Sequence, residues 1–203
     1  YERFAPLKFT AVAAAARVVF AVAGVSRVTA NIASILLSLA GMLFWLLALR
    51  KFWTGRRVIL IGFLLLCNFV LFTYSRMPYL ENGLIFSFGL TFFVHSRFGE
   101  SSVGQILTGI CIAAAALMGK LFGVLLFIPV VATQVYYLRA QSVKAIGLTI
   151  LGGLAGFAAY LLIFLGGDFS LWWQYHVDTT DLLHISKYFS DPLGAIGMFI
   201  SFG

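Results

Sequence analysis

The chain has 203 residues, 62% of them hydrophobic and 10% charged, with a net charge of +7 and a mean hydropathy of +1.01. No soluble domain of this length needs so much apolar surface, so the composition argues against a soluble enzyme and for a bilayer protein. The basic excess lies in short loops between apolar runs, which is the loop bias of membrane proteins and not a nucleic-acid-binding face. Two isolated thiols, Cys67 and Cys111, exclude a disulfide framework and a zinc cluster.

At roughly 20 residues per span, the length suits one bundle of about six to eight helices. Residues 1–24 come first. They are Ala- and Val-rich, short for a span, and carry Lys8 and Arg17. They read as an amphipathic helix in the outer interface, with a tilted seventh span as the alternative. Spans are expected at about 27–49, 57–75, 80–97, 102–119, 121–138 and 144–166. An outer loop, 167–191, follows, and 192–203 begins a further span. Because lipid offers the backbone no hydrogen bonds, each run is expected to be helical. The whole of 1–203 is taken as one transmembrane domain. Its opening on Tyr1 and its end inside an apolar run read as part of a longer protein, and its start lacks the pattern of a signal peptide.

Loop charge sets the orientation. Arg50, Lys51, Arg56 and Arg57, then Arg97, then Arg139 and Lys144 occupy alternate loops, which belong on the cytoplasmic side. The other turns then face outward: 74–80, 119–121 and 167–191. An ionisable group at this edge is a functional candidate by default.

Glu81 opens the helix 80–97. It is either a first-turn carboxylate favoured by the helix dipole by about 0.3–1 kcal/mol, or a base or sugar ligand at the membrane boundary. Arg76, five residues earlier, either pairs weakly with it or grips a phosphate with its planar fork. Lys120 stands between two long apolar runs. It either snorkels from a turn or neutralises a lipid phosphate, with Gly119 and Gly123 allowing close backbone approach. In 167–191, Trp172, Trp173 and Tyr175 suit an interface belt or a sugar-stacking wall. His176, Asp178, Asp181 and His184 match no metal spacing, so no metal site is assigned. The Walker A, HExxH, GxSxG and CxxC patterns are all missing from the sequence.

The order of these segments resembles a known family. Tyr1-Glu2-Arg3-Phe4-Ala5-Pro6-Leu7 opens the chain. Tyr74-Ser75-Arg76-Met77-Pro78-Tyr79-Leu80-Glu81 follows two runs later. Ala116-Leu117-Met118-Gly119-Lys120-Leu121-Phe122-Gly123 precedes Pro129, and Trp172-Trp173-Gln174-Tyr175-His176 leads toward Lys187. The pattern looks like the polyprenyl-phosphate-sugar glycosyltransferases of the GT-C fold. Protein O-mannosyltransferase-like enzymes and lipid A aminoarabinose transferases are the nearest groups.

The resemblance implies an all-α polytopic bundle with an interfacial helix. It implies donor-phosphate binding by Lys120, Arg76 and Arg3, and an assisting or acceptor-orienting role for Glu81. Acceptor or sugar contacts would come from Tyr79, Trp173, His176 and Asp178. The donor would be a polyprenyl-phosphate sugar, the acceptor a protein, lipid or glycan. A divalent metal has no support from the residues, and no cofactor is identified. The family's main catalytic carboxylate would lie upstream of Tyr1, so this segment alone is expected to be inactive. The competing reading is a secondary transporter or flippase-like carrier. Carriers usually place polar groups at mid-membrane, whereas here they sit at the outer edge.

Overall fold

A computed structural model describes residues 11–67, 80–118, 121–171 and 173. These are almost wholly helical, with no strand among them. Chain contacts divide the protein into two units, Phe9–Tyr160 and a second made of Tyr1–Lys8 with Leu161–Gly203.

The elements are α1 (Ala11–Ala23), α2 (Arg27–Leu49), α3 (Gly55–Leu66), α4 (Leu80–Phe98), α5 (Ser102–Met118), α6 (Phe127–Leu138) and α7 (Ser142–Leu165). Two 3-10 helices precede and follow α6, Leu121–Leu126 and Arg139–Gln141. The stretches 27–49 and 123–165 are long and apolar enough to cross a membrane.

Local chemistry sets the boundaries. Gly24 takes φ +76°, a left-handed turn that ends α1. Ser26 then caps α2 reciprocally: Thr29 N–H donates to Ser26 Oγ at 3.1 Å, and Ser26 N–H donates to Thr29 Oγ1 at 2.9 Å. The expected span 121–138 does not begin as an α-helix. Pro129 is the third residue of α6, where its missing N–H costs nothing. Further back, its ring would oppose the carbonyl of Leu125, so the tighter 3-10 form occupies 121–126. Arg139 holds φ +41° between α6 and its 3-10 continuation. Such a conformation costs a side-chain-bearing residue about 1–3 kcal/mol. Arg139→Gly is therefore expected to raise stability by roughly 1 kcal/mol after the glycine's added unfolded-state entropy. A chemical-denaturation midpoint checks this.

Helix directions within Phe9–Tyr160 follow from contact register. Gly41 abuts Ile85 and Phe86, Trp45 meets Phe92 at 4.8 Å between ring centroids, and Lys51 reaches Glu100 at 3.0 Å. The numbers rise together, so α2 and α4 run parallel. On the other side, Gly152 meets Ile106 and Gly156 meets Ile110 and Ala113, so α5 and α7 also run parallel. Contacts from His95 to Thr133 and from Phe52 to Tyr137 align α6 with α2 and α4. Chain connectivity makes α5 and α7 the opposing set. Seven of the nine exposed cations among the described residues, Arg50, Lys51, Arg56, Arg57, Arg97, Arg139 and Lys144, consequently gather at one pole with Glu100, while Arg17 lies in α1 and Arg27 opens α2 at the other end. The first turn of α4 lies at that other end too.

Packing is inverted relative to a soluble protein. Ser34, Ser38, Thr91, Thr108, Gln134 and Thr149 are buried, while Val22 is 88% and Ile59 74% exposed. Several buried hydroxyls donate within their own helix, Thr91 to the Ser87 carbonyl and Thr108 to the Gly104 carbonyl, both at 2.7 Å. An apolar core of Ile112, Ala115, Leu126 and Val130, flanked by Phe88, Phe92 and Phe127, joins α5, the first 3-10 helix, α6 and α4.

In the second unit, Gly166 and Gly167 take positive φ just beyond α7. The Asp168 carboxylate accepts from the Ser170 hydroxyl at 2.7 Å and the Leu171 N–H at 3.0 Å. The hydroxyl first, then the amide, hold its pKa below the ordinary value.

Candidate functional site

Of the residues expected to form the outer site, Glu81 lies in the first turn of α4, one residue after its start at Leu80. Trp173 is half exposed and stacks on Phe169, with centroids 6.4 Å apart and planes at 26°. Arg3, Arg76, Tyr79, Lys120, His176 and Asp178 lie outside the described residues. So do residues 1–10 of the expected interfacial helix, the end of the span 57–75, and all of 192–203.

The opposite pole of Phe9–Tyr160 holds a cavity that hydropathy along the chain does not reveal. A half-open cavity of about 640 Å³ lies where α2, α4 and α6 end together. Trp45, Phe52, Phe92 and Tyr137 form its aromatic walls. Lys51 and Glu100, paired at 3.0 Å and both exposed, stand at its edge. An exposed pair of this kind adds little stability. Gln105 Nε2–H donates to the Gly99 carbonyl at 3.1 Å and fixes the turn between α4 and α5 beside it.

Hydrogen-bond accounting gives the lining its polarity. Thr133 has one hydroxyl proton, given to the Val130 carbonyl at 2.8 Å. Its contact with His95 Nε2, at 2.6 Å, must then be donated by the imidazole. That assigns the Nε2–H tautomer and leaves Nδ1 a bare acceptor; Nδ1 is buried without a partner. Gln134 repeats the logic. Thr149 gives its proton to the Ala145 carbonyl at 2.9 Å, so Gln134 Nε2–H donates to Thr149 Oγ1 at 2.8 Å. The amide orientation follows, and Oε1 is left buried and unpartnered, in a residue only 1% exposed. Ser96 likewise spends its proton on the Phe93 carbonyl at 3.0 Å. Gln134 Oε1 and His95 Nδ1 are thus buried without a partner in residues that line the cavity.

The sequence does carry a trace of this site. His95, Thr133, Gln134 and Thr149 are polar residues inside runs that need none. Their convergence depends on α2, α4 and α6 ending at one level, which spacing along one helix does not reveal. Among the described residues no three of His, Cys, Asp and Glu converge on one point, so none is offered as a metal-ligand set. The chain matches no protein-family model, no curated protein and no solved structure.

Proposed function

We propose that this chain is part of a polytopic membrane glycosyltransferase that moves a sugar from a polyprenyl-phosphate donor to an acceptor at the extracytoplasmic face. The single observation that carries the reading is polar segregation. Helix register sets seven of the nine cations among the described residues at one pole and the Glu81-bearing turn of α4, with Arg27 at the start of α2, at the other. With the cation pole cytoplasmic, Glu81 faces outward, where the resemblance to GT-C enzymes expects an acidic helix start. The exposed valines, isoleucines and leucines support several crossings, because such side chains are matched to lipid.

In this mechanism Lys120, Arg76 and Arg3 hold the donor phosphate. They offset the charge that grows on it as the glycosidic bond breaks, an interaction stronger in the transition state than in the ground state. Glu81 orients the acceptor hydroxyl, and Tyr79, Trp173, His176 and Asp178 supply sugar and acceptor contacts. Lys120→Ala in the full-length protein is expected to lower turnover about 100-fold, the scale of losing one such electrostatic contact. Transfer of labelled sugar from a polyprenyl-phosphate donor in liposomes measures it. Normal turnover together with normal donor affinity overturns the phosphate role.

A carrier is the second reading, favoured by the cavity at the cation pole. It predicts counterflow of substrate across a sealed vesicle with no sugar transferred.

A further inference from the structure

We infer that the cavity where α2, α4 and α6 end is a binding site for an uncharged polyhydroxylated ligand of saccharide type, at the pole opposite Glu81. The inference stands apart from the transferase reading, since it uses none of the residues assigned there.

The first argument is complementarity of hydrogen bonding. Gln134 Oε1 and His95 Nδ1 are buried without a partner in residues that line the cavity, and Ser96 Oγ keeps acceptor capacity after donating to the Phe93 carbonyl. A buried acceptor without a partner carries a desolvation cost that a donor removes. Gly99 lies against Nδ1, and a Cβ there would come within 2.8 Å of it, so a glycine at this point is what leaves the imidazole room. Anions, which only accept, cannot satisfy the Gln134 carbonyl oxygen. Hydroxyl groups donate to such acceptors and also accept, as the Lys51 ammonium at the edge requires.

The second argument is shape and polarity. Trp45 and Phe92 stand 4.8 Å apart between centroids and tilted at 42°, an aromatic corner whose negative π faces suit the C–H face of a pyranose ring. The half-open volume of about 640 Å³ lies within the range of small-ligand pockets and admits a ring or two. The third is charge. Aromatic walls with acceptors would also suit an organic cation, but the pole carries seven cations against Glu100, which is itself paired to Lys51. That field disfavours a cationic guest and leaves a neutral one unaffected.

The test uses the full chain in bilayer discs of phosphatidylethanolamine and phosphatidylserine, which carry no sugar. Maltose, glucose, tetramethylammonium and inorganic phosphate are titrated separately while tryptophan emission is followed. Trp45 lines the cavity and is the reporter. Saturable change is expected with maltose or glucose in the millimolar range, and none with tetramethylammonium or phosphate. Trp45→Phe should abolish the signal. Gln134→Leu and Ser96→Ala should each weaken binding at least about fivefold, which is roughly 1 kcal/mol, with helical circular dichroism unchanged. Four results overturn the proposal: no saturable response to either sugar; saturation by tetramethylammonium or phosphate instead; a signal that survives Trp45→Phe; or unaltered sugar affinity in both Gln134→Leu and Ser96→Ala. Loss of sugar transfer in Lys120→Ala bears on the outer-face reading alone, so the two ideas fail separately.

Discussion

Gly89→Ala is expected to destabilise the protein by about 1–3 kcal/mol, toward the upper end of that range, although it adds one methyl group to a helix. A Cβ on Gly89 would collide with the Gly41 carbonyl oxygen and approach the Trp45 ring at 3.0 Å. Seen from α2, a Cβ on Gly41 would sit 2.6 Å from the Ile85 carbonyl oxygen and the Phe86 Cα. These obstacles are backbone, so they yield only if α2 and α4 move apart. Separation would loosen Phe44 from Phe86 and Phe93, and Trp45 from Phe92. Small residues in helical bundles serve this purpose when lipid provides no hydrophobic drive between helices. The control is Gly147→Ala. Gly147 has open space where its Cβ would go, and alanine there should stabilise α7 by about 0.5–1 kcal/mol. Unfolding in a graded series of denaturing detergent compares the two. Equal effects would refute the close crossing of α2 on α4.

Much of the architecture is legible in the sequence because long apolar runs have little choice but to be helices. The helices α2, α4, α5 and α7 start and end within about two residues of their expected bounds. Charge alternation also anticipates the helix directions, since loops rich in Arg and Lys fall where α2, α4 and α6 end. The entry to α6 is less legible. A run such as Leu121–Val131 looks continuous by hydropathy, and only the steric reach of Pro129 shows that the first turns must be 3-10. The cavity is the least legible part. His95 looks like a lone polar residue in an apolar helix, and its meaning depends on Thr133, 38 positions later, and on which hydroxyl proton is already spent. Hydropathy reports whether a residue avoids water. It does not report where two helices end relative to each other, and that register decides the site.

Thr149→Val should be more damaging than Gln134→Leu, although both remove the same hydrogen bond. In native protein Gln134 Nε2–H donates to Thr149 Oγ1 at 2.8 Å, inside α6 and α7, with both residues 1% exposed. Valine at 149 keeps the shape but strands the amide N–H, adding a second unpartnered group to Oε1 of the same side chain. A buried donor left unmade costs about 1–3 kcal/mol. Leucine at 134 removes donor and acceptor together in nearly the same volume. Thr149 Oγ1 then still donates to the Ala145 carbonyl at 2.9 Å, so the stability change should be near zero or slightly favourable. The double variant, Gln134→Leu with Thr149→Val, should recover most of the loss caused by Thr149→Val alone. The coupling follows from the two side chains being one hydrogen-bonded unit. Stabilities that simply add across the cycle would mean that the Gln134–Thr149 bond does not form, and with it would go the amide orientation that points Oε1 away from Thr149. Because Gln134→Leu is expected to leave the fold intact, its effect on sugar binding at the cation pole reports the lost acceptor and not a disturbed helix pair.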